Sequence, residues 1–488
     1  MKFDRLICVS VVSAVLLAGC AVGPKYERPA ADLPPAWRDV PAQGKSAPAE
    51  RWWTFYADPA LDRLVDEALA HNQDLALAAA RIDEARALLQ VADATHAPAI
   101  DAEFQRDRSR SSGRSSVPLP PGVPLERNSY RGALNVAYEV DLWGRLRSAT
   151  DAARAELLAS RAAQETVRVT LTAQVAQSYF ALMALDGQIE ATRRTLGLRE
   201  RTFDLQKVRS AAGLIGDFDL RQIEAEVAAA RAQLPALERS RSTEELALAV
   251  LLGRAPRAII EESITRTADR GEPPAPVAPE GLPSDLLLRR PDVVQAEQRL
   301  IAANARIAAA RAALFPRISL TGYLGGESAS LGDLLSGPAR IWQLAFALAQ
   351  PIFQGGRLSG EIEAVRARER QALAQYQKTL QEAFREVREA LIRQDRSREI
   401  FEAEGARVNA LEAAVRLAHI RYDNGRSSQL EVIDAERNLL QAELNRIDAL
   451  RAQRVAAADL VKALGGGWGG FDRAAGASTA AVVKTEKP

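Results

Sequence analysis

The chain has 488 residues, with 64 Lys plus Arg against 63 Asp plus Glu and a net charge of +1. That balance holds no basic excess for nucleic acid. The length allows several domains or one very elongated one, and a composition dense in Ala, Arg, Glu, Leu and Gln is helix-forming material.

The N-terminus reads as a signal peptide over residues 1–19. Lys2 and Arg5 supply a positive start, and residues 6–18 are apolar or small, a run too short to cross a bilayer as a permanent helix. Leu17-Ala18-Gly19-Cys20 then looks like a bacterial lipobox, in which the Cys20 thiol takes a diacylglycerol and becomes the mature N-terminus. With Cys8 lost in the signal, Cys20 is the only thiol left and no internal disulfide can form. Ala21 after the cysteine favours the outer membrane by the same resemblance. No later apolar run is long enough for a transmembrane helix, so the chain is either tethered to a membrane or spans it as a β-barrel.

The next stretch, 20–57, reads as a tether, and the rest of the chain repeats itself. Gly144-Arg145-Leu146 recurs as Gly356-Arg357-Leu358, Gly213 as Gly425, Glu224 as Glu436 and Leu252-Gly253 as Leu464-Gly465, every pair at the same offset of 212. Pro98 pairs with Pro316 at an offset of 218, so the first copy is six residues longer in a loop. Two copies of one structural unit are expected, 58–253 and 284–465, joined by a linker at 254–283 and followed by a tail at 466–488.

Each copy has the same predicted order. Residues 58–96 and 290–315 read as helix ending at a proline. A β-hairpin follows, at 99–142 and at 317–350. In 130–142, Tyr130, Leu134, Val136, Tyr138, Val140 and Leu142 alternate with Arg131, Asn135, Glu139 and Asp141, a one-sided strand. Trp342, Leu344, Phe346 and Leu348 alternate in 341–349, and weaker strands fall at 99–106 and 317–324. The Ser-, Pro- and Gly-rich segments 107–127 and 325–338 read as hairpin tips. Long proline-free helices are predicted over 144–212 and 356–424, each about 100 Å at 1.5 Å per residue. Val175, Leu182, Ile189, Leu196 and Phe203 lie seven apart, as do Val387, Phe401, Val408, Val415 and Tyr422 apart from Gln394 in the series, which implies coiled-coil packing. Each long helix ends at a capping glycine, Gly213 or Gly425. A shorter helix returns, at 217–252 and 428–464. End to end with the 72–96 helix the return helix reaches roughly 90 Å, so two short helices are expected to stack into one strut beside each long one.

Four strands cannot close a barrel, for which about eight is the minimum. The hairpins must pair with those of other chains. Three chains would give twelve strands and a lumen, with apolar faces toward lipid and Asn135, Glu139 and Asp141 toward the interior.

These features resemble an outer-membrane factor of tripartite efflux systems, in the TolC-like, lipid-anchored branch called NodT-type. The resemblance rests on Cys20 with Gly23-Pro24-x-Tyr26-x-Arg28-Pro29, on Trp52-Trp53-x-Phe55 running into Asp58-Pro59-x-Leu61, and on Arg289-Arg290-Pro291-Asp292. Arg421-Tyr422-x-x-Gly425 and Asp434-Ala435 complete it. It implies a mainly α fold with β, in a homotrimer with a twelve-stranded β-barrel in outer-membrane lipid and a periplasmic α-barrel. A belt would form from residues near 38–57, 254–283 and the tail. The implied partners are a periplasmic adaptor and an inner-membrane transporter of the RND class, which open the duct by moving its inner helices outward. The family closes its periplasmic end with acidic and apolar rings. On the matching positions Asp434 and Leu430 are ring candidates, Tyr422 is a hinge contact, and Asp217 and Asp219 occupy the tip of the first copy. Asp423 stands where family members often carry a base. Three Asp434 carboxylates on one axis would attract cations; alternatively Asp434 serves the helix dipole or pairs with Arg437.

Nothing in the sequence resembles catalysis. His71, His96 and His419 are scattered without acidic or cysteine partners at ligand spacing, and Met183 is the one methionine of the mature chain, so neither a metal site nor a methionine relay is expected. No cofactor is expected beyond the lipid on Cys20. Two other readings stay open: a duct for type I protein secretion, and a non-pore periplasmic coiled-coil lipoprotein. The alternating strands argue against the second.

Overall fold

The computed structural model describes residues 22–30, 50–114, 116, 120, 122–261, 263–266 and 288–466. The expected signal peptide, Cys20, most of the tether and linker, and the tail beyond Gly466 lie outside these residues.

The elements follow in the order α1 (Pro59–His71), α2 (Gln73–Ala94), β1 (Ala99–Arg110), β2 (Glu126–Val140), α3 (Arg145–Ala211), α4 (Asp217–Leu251), α5 (Pro256–Glu261), α6 (Pro291–Ala312), β3 (Arg317–Ser328), β4 (Arg340–Ala349), α7 (Arg357–Asp423) and α8 (Gln429–Ala463). The duplication survives in the lengths. Helices α2 and α6 each have 22 residues, α3 and α7 each have 67, and α4 and α8 each have 35.

Two compact units emerge. One comprises residues 1–30, 81–161 and 295–377, and the other 31–80, 162–294 and 378–488. The first holds a four-stranded antiparallel sheet in the order β1-β2-β3-β4. The two hairpins therefore pair with each other, β2 against β3, within one chain. Directly opposed residues share a face. Ile100 opposes Val136, Leu134 opposes Leu324, Tyr138 opposes Leu320, and Ile318 opposes Leu348, so one face is apolar. Ile100, Phe104, Leu134, Leu324, Trp342, Leu344, Phe346 and Leu348 on that face are more than half exposed. Leaving such side chains in water forgoes about 1.5–3 kcal/mol each, which contact with lipid acyl chains recovers. The other face carries Asp101, Glu103, Asn135, Glu139, Ser319, Thr321 and Tyr323. There Asn135 donates to Glu103 at 3.1 Å and the Arg131 guanidinium lies 4.5 Å from the Tyr323 ring centre.

The structure revises the sequence reading in three places. The helix expected over 58–96 breaks at Asn72, whose backbone is extended and whose Oδ1 accepts from the amides of Asp74 and Leu75, capping α2. Strands β1 and β3 outrun their apolar stretches to Arg110 and Ser328. At the first tip Arg108 and Arg110 both pair with Glu126, at 2.9 and 3.4 Å. Asp141 and Leu142 lie beyond the end of β2. Asp141 instead accepts from the Arg147 amide at 2.8 Å and caps α3, so it is not part of the polar strand face. The return helix α4 keeps its expected span, running through Pro235, which removes one hydrogen bond without ending the helix.

The second unit is helical and has its core where α1 meets α3 and α8. Trp52, Trp53 and Tyr56, in a short 3-10 turn, are buried with Leu61, Val65, Tyr179, Phe180 and Ala457. Trp52 donates to Thr172 at 3.3 Å and Tyr56 to the Arg454 carbonyl at 2.5 Å. Asp58 caps α1 by accepting from the amides of Ala60 and Leu61, and it also accepts from the Tyr179 hydroxyl. The Trp-Trp-x-Phe…Asp-Pro motif is thus a core plug followed by a helix cap.

Here too the stacked struts take shape. The end of α4 meets Asn72 at the start of α2, where Asn72 Nδ2 donates to the Leu251 carbonyl at 2.9 Å. The second copy has Arg290 in the place of Asn72 and Ala463 in the place of Leu251. There Arg290 Nη1 donates to the Ala463 carbonyl at 2.6 Å. A different side chain satisfies the same helix-end carbonyl. Gly253 and Gly465, at φ 72° and 89°, close both helices. A Cβ at Gly253 would lie 2.1 Å from the His71 carbonyl oxygen, so only glycine fits that approach.

Arg290 is nearly buried and also pairs with Asp292 at 2.7 Å and Glu386 at 2.8 Å. Burial opposes its charge, but the two carboxylates outweigh it and hold the guanidinium pKa above its ordinary value. Removing it strands two acids and a carbonyl. We expect Arg290→Ala to cost about 3 kcal/mol and Asn72→Ala about 1 kcal/mol. Thermal melts followed by circular dichroism should show the larger loss in Arg290→Ala.

Candidate functional site

Two helical hairpins, α3/α4 and α7/α8, end in matched turns. Gly213 and Gly425 take left-handed φ values of 73° and 66°. Leu214 N donates to the Arg209 carbonyl and Arg426 N to the Arg421 carbonyl, at 2.9 and 2.8 Å. These six-to-one bonds, with the left-handed glycine, form the same helix stop in both copies.

The sequence-predicted gate residues gather at these turns. Tyr422, in the last turn of α7, accepts through its hydroxyl from Gln206 Nε2 of α3 at 3.0 Å. The same Nε2 reaches Gln429 Oε1 of α8 at 3.4 Å. Gln206 is 2% exposed, so one buried carboxamide ties three helices together. Sequence reasoning missed it, because a single Gln in an Arg- and Gln-rich helix gives no signal. Leu430 and Asp434 lie one turn apart on one face of α8, and Leu430 is 45% exposed. Asp434 accepts from Arg437 Nη2 at 2.8 Å. It is the sixth residue of α8, past the first turn that Glu431 occupies, so the helix dipole acts on it weakly.

Glu431 in turn pairs with Arg421 across the turn at 3.4 Å. Asp217 and Asp219 occupy the first turn of α4, where negative charge suits the helix N-terminus, and Arg221 lies 3.7 Å from Asp217. His419 has an acidic partner distant in sequence: its Nε2 is 3.0 Å from Glu436, 17 residues on. His96 meets Thr150 at 3.1 Å. Among the described residues no group of three or more His, Cys, Asp or Glu is placed to hold a metal ion, and no helix is long and apolar enough to cross a membrane. Phe218, Leu214 and Val208 stand 78%, 73% and 69% exposed around the first tip. Farther along α3, α7 and α8, a groove of about 410 Å³ is lined by Arg194, Phe401, Glu412, Glu443 and Arg446.

In the sheet-bearing unit, the Gly-Pro-x-Tyr-x-Arg-Pro segment lies along α6. Gly23 packs so closely on Ala308 that a Cβ there would approach the Ala308 Cβ to 2.2 Å. Arg28 grips Glu297 with both carboxylate oxygens, at 2.6 and 2.8 Å, and the Tyr26 hydroxyl donates to the same carboxylate at 3.2 Å. Burial, then the neighbouring Glu297 charge, pushes the Tyr26 phenol well above its usual range. The motif is a strap fastened to one nearly buried acid.

Strands with an apolar outer face, feeding paired coiled-coil hairpins, define an outer-membrane duct protein. The chain belongs to the outer membrane efflux protein family, whose profile matches residues 64–254 and 282–466. It is 38% identical to the outer membrane protein OprJ of Pseudomonas aeruginosa, over 94% of this chain and 95% of that protein. It is 35% identical to the toluene efflux pump outer membrane protein TtgC of Pseudomonas putida, over 98% of both chains. Among solved structures, a Pseudomonas aeruginosa membrane protein superimposes with a TM-score of 0.84 at 36% identity, covering 92% of this chain and 98% of that one. The open-state MtrE channel of Neisseria gonorrhoeae matches with 0.80 at 29%, covering 92% and 98%. Members of this family are outer-membrane efflux channels rather than enzymes, and this chain is one of them.

The strap predicts a protease phenotype. Lys25 is exposed between Gly23 and Arg28. We expect Glu297→Ala to speed tryptic cleavage after Lys25 severalfold while Arg28→Lys has a smaller effect, read by intact-mass spectrometry over a digestion time course.

Proposed function

We propose that the chain is one third of a trimeric exit duct that passes small organic molecules from the periplasm to the outside. Cys20 carries a lipid anchor, and the duct is opened by a periplasmic adaptor and an RND-class inner-membrane transporter. The observation that carries the reading is the four-stranded sheet. It has one lipid-suited face, one polar face and two unpaired edges, and it needs copies of itself to close. Three copies supply twelve strands. Relatives named for toluene, solvent and antibiotic efflux support small organic cargo over exported protein.

Opening in this reading means separating the two hairpins at their tips. The Gln206–Tyr422 and Gln206–Gln429 bonds are what hold them, while the Arg421–Glu431 pair braces the α7/α8 turn itself. Leu430 and Asp434 face the axis, and the Arg437 partner sets how much of the Asp434 charge the lumen sees. The exposed apolar tip residues Phe218 and Leu214 are where an adaptor docks. Asp217 and Asp219 rim that tip.

In planar bilayers we expect the wild-type protein to give a small, cation-selective current. Asp434→Ala should enlarge it severalfold, lose cation preference and raise antibiotic uptake in cells. Unchanged conductance and selectivity in Asp434→Ala would remove Asp434 from the gate.

A further inference from the structure

The apolar face of the sheet is not uniform along its length. All four strands meet their helices at one end and their hairpin turns at the other. On that face β1 runs through Ile100, Ala102 and Phe104 from the helix end, then Arg106, Arg108 and Arg110 toward the turn. Arg340 opens β4 on the same face, opposite Gly326 and two residues before Trp342. Within the four strands this face holds five charged residues, the four arginines and Glu126, and all five sit at the turn end. The polar face has the opposite balance, five acids against the three arginines Arg127, Arg131 and Arg317.

We propose that Arg106, Arg108, Arg110 and Arg340 form a docking surface for the phosphate groups of the glycolipid in the outer leaflet. The proposal rests on the duct reading above, which sets the apolar face in lipid and the hairpin turns outside, and it adds a lipid partner to that reading.

Depth supports it. Val140 and Tyr130 mark the two ends of the apolar run on β2. The strand between them is about 33 Å long, or about 25 Å high at a tilt near 40°, which is the height of the lipid-facing band in such sheets. Arg106 lies opposite Tyr130, so the arginine row starts where the hydrocarbon ends. Tyr130 and Trp342 stand at that boundary, where aromatic rings gather. Charge supports it as well. Glu126 is shared by Arg108 and Arg110, at 2.9 and 3.4 Å, and one carboxylate cannot neutralise two guanidiniums. The two arginine side chains stay 67% and 72% exposed in spite of it. Arg106 packs its guanidinium 5.5 Å from the Tyr130 ring centre, which leaves its outer edge for an anion. A guanidinium fork matches phosphate oxygens two at a time, and alternate residues spaced about 6.6 Å apart present three forks in a row.

Native mass spectrometry of the full protein, extracted from outer membranes in detergent and titrated with lipid A, tests the surface. The probes are lipid A carrying both phosphates and the same lipid with its phosphates removed. The wild type is compared with an outer-face variant, Arg106→Gln with Arg108→Gln and Arg110→Gln, and with an inner-face variant, Arg127→Gln with Arg131→Gln and Arg317→Gln. Each arginine beside an anionic lipid surface adds roughly fivefold to binding, so the wild type should hold the phosphorylated form on the order of a hundredfold more tightly. The outer-face variant should lose that preference and the inner-face variant should keep it. Equal binding of the two lipids by the wild type would overturn the proposal, and this comparison stands even if a variant does not fold. Equal loss in both variants would overturn it too, by showing attraction to charge on either face. Displacement of the lipid by excess inorganic phosphate would reveal a free-anion site in its place. Recovery of the protein outside the outer-membrane fraction would instead refute the duct reading on which the proposal rests.

Discussion

The backbone amides and carbonyls along the outer edges of β1 and β4 constrain everything else. A sheet facing lipid cannot leave an edge unpaired, because no water is available to satisfy it. The remaining choices follow from that requirement. One face is apolar and the other polar, and in the proposed duct the chain meets copies of itself. The helices inherit the arrangement, since each strand pair feeds a long helix at a fixed offset.

Duplication meets this requirement with one unit used twice. Two copies give two hairpins in register and two coiled-coil hairpins of equal length. The copies need not agree in chemistry where they agree in geometry. Asn72 and Arg290 occupy equivalent places and satisfy equivalent carbonyls, one as a neutral amide and the other as a charge held by Asp292 and Glu386. The tips diverge in the same way. The α7/α8 turn carries the bonds of Tyr422 and Glu431, while the α3/α4 turn exposes Phe218 and Leu214. Under the proposed function, divergence of this kind lets one tip hold the closed state while the other meets a partner.

Much of the fold was legible in the sequence because it is periodic. Alternation in 130–140 and 342–348 marks strand faces, and proline and glycine mark the ends of elements. A boundary at residue 72 could be placed, but its cause could not, because an Asn inside an Ala- and Leu-rich run looks like any polar surface residue until its side chain is seen capping the next helix. Pro235 is a local stop signal that the 35-residue helix reads through, in line with the helix expected over 217–252. Site residues carried by a motif, such as Tyr422 and Asp434, could be placed on the right turn. Gln206, Glu297 and Glu436 could not, because each acts through a partner 17 to 271 residues away. Contact at that range leaves no local pattern to read.

The central claim is that the sheet closes only with copies of itself, three to a ring. Electron cryo-microscopy of the detergent-solubilised protein tests it most directly. The account predicts end-on views with three-fold symmetry and a reconstruction with twelve strands around one lumen. Particles with two-fold symmetry, or single chains with the sheet edges unpaired, would contradict it.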